Sequence, residues 1–361
     1  MSKSIFITSL ILIITIFSCK EKRTIKTENP SSFEQNKIIF KVDERTEFFR
    51  TIFNLAVQDD LPPDLAPCKT AYLNRINTYF EPYKSHPLIQ YIYDHETMGI
   101  DFPTIGFMYD TLENFKMDPI YSKEFPTYGV SKEEMDSIRP LLIDFYHKTD
   151  FKSFYTDNQE FYEKAVEKVQ IQLDKEQLFN TITTFYQSEE KGMELIVIVE
   201  LTNNANNKAV TYYDKYNPKK RAVIVANICE DPKEPTIQNT ILELDNNLRT
   251  RIYHEASHLF TDKLLHKYIG ELTQYTSICE DCSDIEIKDK IDHLIVYPLQ
   301  ELISYRKFGK IDGHDFYVNT CQDVRKDIYI KLSEYDPKNG IPFEKTYKEC
   351  IDLIQLSASI K

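Results

Sequence analysis

The chain has 361 residues, enough for one large domain or two small ones, and 42% hydrophobic with 28% charged residues excludes a disordered or fibrous chain. Only 8 glycines stand against 24 tyrosines and 22 phenylalanines, which argues against a turn-rich all-β fold and against glycine-rich phosphate loops. The formal net charge of −13 disfavours a nucleic-acid partner.

The first residues have the pattern of a secretory signal. Lys3 is followed by the apolar run Ile5 to Phe17, which is short for a permanent membrane span. Ile16-Phe17-Ser18-Cys19 then precedes the polar Lys20-Glu21-Lys22-Arg23 and resembles the lipobox of bacterial lipoproteins. That resemblance implies cleavage before Cys19, lipid attachment at Cys19 and an extracytoplasmic body anchored to the membrane by the lipid alone. Removal of residues 1–18 takes away one charge, Lys3, and leaves 43 basic against 57 acidic residues. Residues 19–36 read as a flexible tether, and 37–361 as a single domain with a helical N-terminal half.

Within that domain, Ile38 to Val42 is a short β-prone run and Glu44 to Val57 carries a helical stripe of Phe48, Ile52, Leu55 and Ala56. Three prolines break the chain between Leu61 and Pro67. Helices are expected over Cys68 to Phe80, Leu88 to Glu96, Lys132 to Lys148 and Gln159 to Gln187. Glu194 to Leu201, Val210 to Tyr213 and Ala222 to Ile228 read as strands from their β-branched content. Long helical patterns follow over Asn239 to Tyr268 and Ile285 to Phe308, and two more helices close the chain. The fold class is α+β, mostly α-helical, with a small antiparallel or mixed sheet preceding a long helix. Glu194 to Leu201 suits either an exposed edge strand, on which an extended peptide would pair, or a fully buried one.

The long helix carries His254-Glu255-Ala256-Ser257-His258. Histidines four residues apart lie one turn apart on one helical face, a spacing that suits two positions of a tetrahedral zinc. Glu255, next to the first histidine, is placed to act as general base on a metal-bound water. Leu248, Ile252, Ala256, Leu259 and Leu264 form the expected core-facing stripe. A histidine six residues beyond the pair would signal the metzincin class, but that position is Leu264. His266 is out of phase and is expected to be exposed, and Asp262 reaches a tetrahedral metal poorly from the same helix. Glu301, among apolar neighbours in Pro298-Leu299-Gln300-Glu301, is the expected third ligand, with Glu280 and Asp284 as weaker rivals. Pro298 suits a first helical turn and Gly309 a helix end. Tyr297, Tyr305 and His293 are candidate oxyanion donors.

The motif with a later glutamate resembles gluzincin-type zinc peptidases. A broader resemblance is to a bacterial family catalogued as domain of unknown function 4932, regarded as metallopeptidases. It is carried by Val42 to Phe48 with Leu55-Ala56, Tyr79 to Pro87, Asp144 to Tyr146, Phe151, Phe154-Tyr155, Phe161-Tyr162, the motif helix and the Glu301 segment. The resemblance implies a zincin-like catalytic region behind helices and hydrolysis of a peptide or protein substrate. The rival reading is a non-catalytic surface lipoprotein that binds a protein or glycan around a structural metal. Arg45 and Glu47 are expected to form an ion pair at a helix start, and His86 to cap a turn. Without Cys19, the six cysteines Cys68, Cys229, Cys279, Cys282, Cys321 and Cys350 permit up to three disulfides in an oxidising compartment. The C-x-x-C of Cys279 and Cys282 reads as one of them.

Overall fold

The computed structural model describes residues 36–57, 60–62, 65–95, 102–117, 130–188, 192–203, 208–210, 220–226, 242–272, 287–309 and 321–359. The signal and tether with Cys19, the cysteines Cys229, Cys279 and Cys282, and the rival ligands Glu280 and Asp284 lie outside the described residues. The architecture is α+β and mostly helical, and the described residues all fall in one compact unit, Glu34–Lys361.

The chain enters through strand β1 (Lys37–Lys41) and helix α1 (Glu44–Val57). Helices α2 (Ala71–Phe80), α3 (Pro87–Asp94), α4 (Lys132–Lys148), α5 (Phe151–Asp157), α6 (Gln159–Glu176) and α7 (Leu178–Phe185) follow, with a small hairpin of β2 (Tyr109–Thr111) and β3 (Lys116–Met117) between α3 and α4. Local chemistry fixes several ends. Ser131 and Glu134 form a reciprocal capping box at the start of α4. His86 caps α3, its Nδ1 accepting from the Leu88 amide at 3.1 Å while Nε2 bonds Asp144 at 2.9 Å. The single helix expected over 159–187 is two, because Gln177 adopts a left-handed φ of 49° between α6 and α7.

Aromatic packing holds this half together. The Phe48 ring lies 5.0–6.0 Å from those of Phe49, Phe115, Phe145, Tyr146 and Phe151, mostly tilted or edge-on. Arg45 does not pair with Glu47. Its guanidinium grips the Asp43 carboxylate with two bonds of 2.9 and 3.0 Å and stacks 4.2 Å over Phe107. Glu47 is buried elsewhere, against Tyr72.

The main sheet adds β4 (Glu194–Glu200), β5 (Lys208–Val210) and β6 (Lys220–Ala226) to β1, in the order β1-β4-β6-β5. β1, β4 and β6 are mutually parallel and β5 runs antiparallel to β6. β4 is therefore not an edge: it is paired on both sides and buried at every residue, as its unbroken apolar centre requires. Helices α8 (Asn246–Tyr268), α9 (Ile287–Phe308), α10 (Gln322–Ser333) and α11 (Phe343–Ser359) complete the chain, and α8 packs on β6, β5 and α9. Pro298 lies in the middle of α9, not in a first turn. Gly309, at φ +72°, ends that helix as expected. No described helix is long and apolar enough to cross a membrane. Cys68 and Cys321 are disulfide-bonded, whereas Cys350 is a buried free thiol, so the six cysteines do not form three bridges.

Candidate metal centre

Helix α8 starts at Asp245, whose carboxylate accepts the Leu248 amide at 2.7 Å. Its apolar stripe is only part of its burial. Leu248, Ile252 and Ala256 are in the core, but so are His254, Glu255, Ser257 and Thr261, while Leu259 and Leu264 are half-buried. The polar face is covered by α9, which crosses α8 antiparallel: His254 meets Gln300, and one turn later His258 meets Asp292.

These contacts set the chemistry of both rings. His254 Nδ1 donates to Gln300 Oε1 at 2.8 Å, and His258 Nδ1 donates to Asp292 Oδ2 at 2.7 Å. Both partners are acceptors, so each Nδ1 carries the hydrogen and each Nε2 carries a lone pair. The two Nε2 atoms face each other at 3.1 Å. Burial, then the neighbouring His258 and His293, holds His254 well below the usual imidazole range, against the Gln300 bond, which favours charge. Burial pushes Asp292 up, but its interactions with His258, then with His293 and Lys288, outweigh it and leave the carboxyl below its ordinary value. Thr261 Oγ1 adds a 3.4 Å contact to the other Asp292 oxygen. Behind the pair, Tyr186 donates to Ser257 Oγ at 2.6 Å, which in turn bonds the Tyr253 carbonyl.

The third nitrogen comes from α9. His293 stands beside both motif histidines, its ring 5.3 Å from His254 and 5.2 Å from His258. One ligand atom from each of the three lies within 4.8 Å of the others. Among the described residues this is the group able to hold a metal, and Glu301 is not in it. Two turns further along α9, Glu301 Oε1 instead accepts from Arg325 Nη2 of α10. A carboxylate already engaged by a guanidinium, both largely buried, is a poor candidate for coordination. Among the described residues the histidine pair is thus joined by His293, a residue the sequence suggested for a different task, while Glu301 faces Arg325.

Of the other candidates, Tyr297 sits with the group, its ring 4.8 Å from His254 and 5.4 Å from His293, and Arg325 lies 5.1 Å over it. Tyr305 is 51% exposed on the same helix. Asp262 and His266 pair with each other at 3.2 Å, and His266 is exposed. Glu255 is buried beside His254. Arg251, one turn earlier, donates to the Ala226 carbonyl at the end of β6, and its charge acts on Glu255.

Sequence reasoning missed Asp292 and Gln300 altogether. The signal was present as a stripe: Asp292, His293, Tyr297, Gln300, Glu301 and Ser304 recur at helical spacing within an otherwise apolar stretch. No family model, curated protein or solved structure matches this chain.

Proposed function

We propose that the chain is a zinc-dependent hydrolase of the metallopeptidase type, with His254, His258 and His293 as ligands and Glu255 as general base. The observation that carries this reading is the pair of Nε2 atoms facing each other at 3.1 Å, each ring having its Nδ1 against an acceptor. With both Nδ1 atoms protonated the two Nε2 lone pairs repel, and a cation between them removes the repulsion. Three imidazole nitrogens suit zinc and leave a fourth position for water. Bound there, zinc polarises a carbonyl and lowers the pKa of its water to about 7.

The chain's own residues supply the rest. Asp292 and Gln300 fix the tautomer and the aim of the two motif rings. Glu255 takes the proton of the attacking water and passes it to the leaving amine. Tyr297, whose ring lies 4.8 Å from that of His254, is the hydrogen-bond donor for the oxyanion that develops on the attacked carbonyl. A peptide or protein is the substrate, and the zincin-like helix pair is the catalytic region. The lipobox-like segment ending at Cys19 supports a place on the outer side of a bacterial membrane. Disulfides at Cys68 and Cys321 are in keeping with an oxidising compartment.

Elemental analysis of the purified mature protein tests the ligand set. About one zinc per chain is expected, lost in His293→Ala and kept in Glu301→Ala. Zinc kept in the first and lost in the second restores Glu301 as the ligand. Glu255→Gln should keep its zinc and cleave no peptide. A wild type that binds zinc yet leaves a complex peptide mixture intact supports the non-catalytic lipoprotein instead.

A further inference from the structure

A second group of ionisable side chains lies away from the histidines, where α1 packs on the end of β4. Glu47, Arg50 and Glu200 are at most 5% exposed. Arg50 Nη2 donates to Glu200 Oε2 at 2.6 Å, and Asn203 Nδ2 donates to the same oxygen at 2.6 Å. Tyr72, from α2, donates to Glu47 Oε2 at 2.7 Å and, its one hydrogen so used, accepts from Tyr162 of α6 at 2.7 Å. Arg50 Nε and Glu200 Oε1 are buried without a hydrogen-bond partner, while the Leu201 amide reaches the Glu47 carboxyl beside Tyr72.

Two carboxylates face one guanidinium in this group. The other charged groups nearby are spoken for: Asp43 is neutralised by Arg45 and Lys41. Tyr155, Tyr72 and Tyr162 are phenols whose ionisation burial and the neighbouring carboxylates oppose. With all three ionised, the Glu47, Arg50 and Glu200 group buries an uncompensated negative charge, which is costly. A single proton on the Glu47 carboxyl neutralises the group.

We propose that Glu47 carries a proton below neutral pH and that this proton latches α1 to the end of β4, so that its loss loosens the N-terminal helices from the sheet. Burial, followed by the Glu200 charge, raises the Glu47 carboxyl from 4.5 to about 7, against the Tyr72 bond, the Arg50 charge and the Leu201 amide. The native carboxyl therefore holds its proton more tightly than the unfolded chain does. The resulting stabilisation is complete below about 4.5 and is lost as the pH rises through about 7. The latch is one strand from the histidine helix: Glu200 is register-paired with Ala226, whose carbonyl takes the Arg251 bond from α8.

The test compares the full mature chain with Glu47→Gln by thermal unfolding across the range from acid to alkaline pH and by infrared spectroscopy. Subtracting the variant should leave a stability difference that declines towards neutrality, on the order of a hundredfold in the folded-to-unfolded ratio. A carboxylic-acid carbonyl band should be present in the wild type below neutral pH, vanish above it, and be missing from the variant. Parallel unfolding profiles, or the same band in both proteins, overturn the proposal. Should Glu47→Gln not fold, Tyr72→Phe keeps the carboxyl but removes its donor. The infrared midpoint should then move up, and an unmoved midpoint is equally fatal.

Discussion

Replacement of Asp292 by asparagine tests whether α9 tunes a metal or merely packs against α8. The carboxylate accepts from His258 Nδ1 at 2.7 Å in a largely buried setting, so the bond is charge-assisted and lightly screened. Asparagine keeps the shape and an acceptor oxygen, so the ring stays in place and only the charge is lost. A hydrogen bond to a charged group contributes about 1.5–3 kcal/mol and a neutral one about 0.5–1.5, so losing the charge alone costs about 1–1.5 kcal/mol and, at about 1.4 kcal/mol per tenfold, weakens the metal by roughly five- to tenfold. That lies at the low end of the usual effect of removing a partner behind a ligating histidine, about 10–100-fold. The neutral Gln300 bond to His254, at 2.8 Å, involves no charge, so Gln300→Ala should fall at or below the tenfold end. Competition against a chromophoric chelator at fixed pH measures both. Wild-type affinity in Asp292→Asn would refute the reasoning, because the carboxylate would then have no electrostatic link to the ion.

Two further outcomes follow from positions on either side of the histidines. Tyr297→Phe should keep its zinc and lower kcat by roughly 100–1,000-fold, the cost of one oxyanion donor. An unchanged kcat in a steady-state peptide assay would remove Tyr297 from the chemistry. In the N-terminal half, a Cβ on Gly106 would lie 2.5 Å from the Arg45 carbonyl oxygen and 2.8 Å from the Phe49 ring. Gly106→Ala should therefore destabilise the chain by about 1–3 kcal/mol, read as a lower midpoint in urea with an unchanged slope.

What could be read in advance depended on how local the determining contact was. The H-E-x-x-H spacing lies within one turn of one helix, so the facing histidine pair was visible. The limits of α1 and α4 were also visible, because an apolar stripe and the Ser131–Glu134 box act within a few residues. The histidine that joins that pair was not. His293 and Glu301 sit two turns apart on the same helix, and Arg325, a residue of α10, engages Glu301. The place of β4 in the sheet was equally hidden: strand composition allows an edge or a centre, and only pairing with β1 and β6 decides. The break at Gln177 has no glycine to announce it.

A pair of histidines buried side by side does not by itself require a metal. One proton shared between His254 and His258 would also remove the repulsion of their lone pairs, with Asp292 as counter-charge. The third ring separates the two cases. A proton bridges two nitrogens in a line and gives a third nothing to bind, while a second imidazolium beside the first would add repulsion. His293 is nonetheless held within ligand distance of both, on a helix whose neighbouring side chains already fix the other two rings. A tetrahedral ion takes all three nitrogens at once and keeps a corner for water. The proton then becomes a competitor: because the ligands bind as neutral imidazoles, acid should empty the centre before it unfolds the surrounding core.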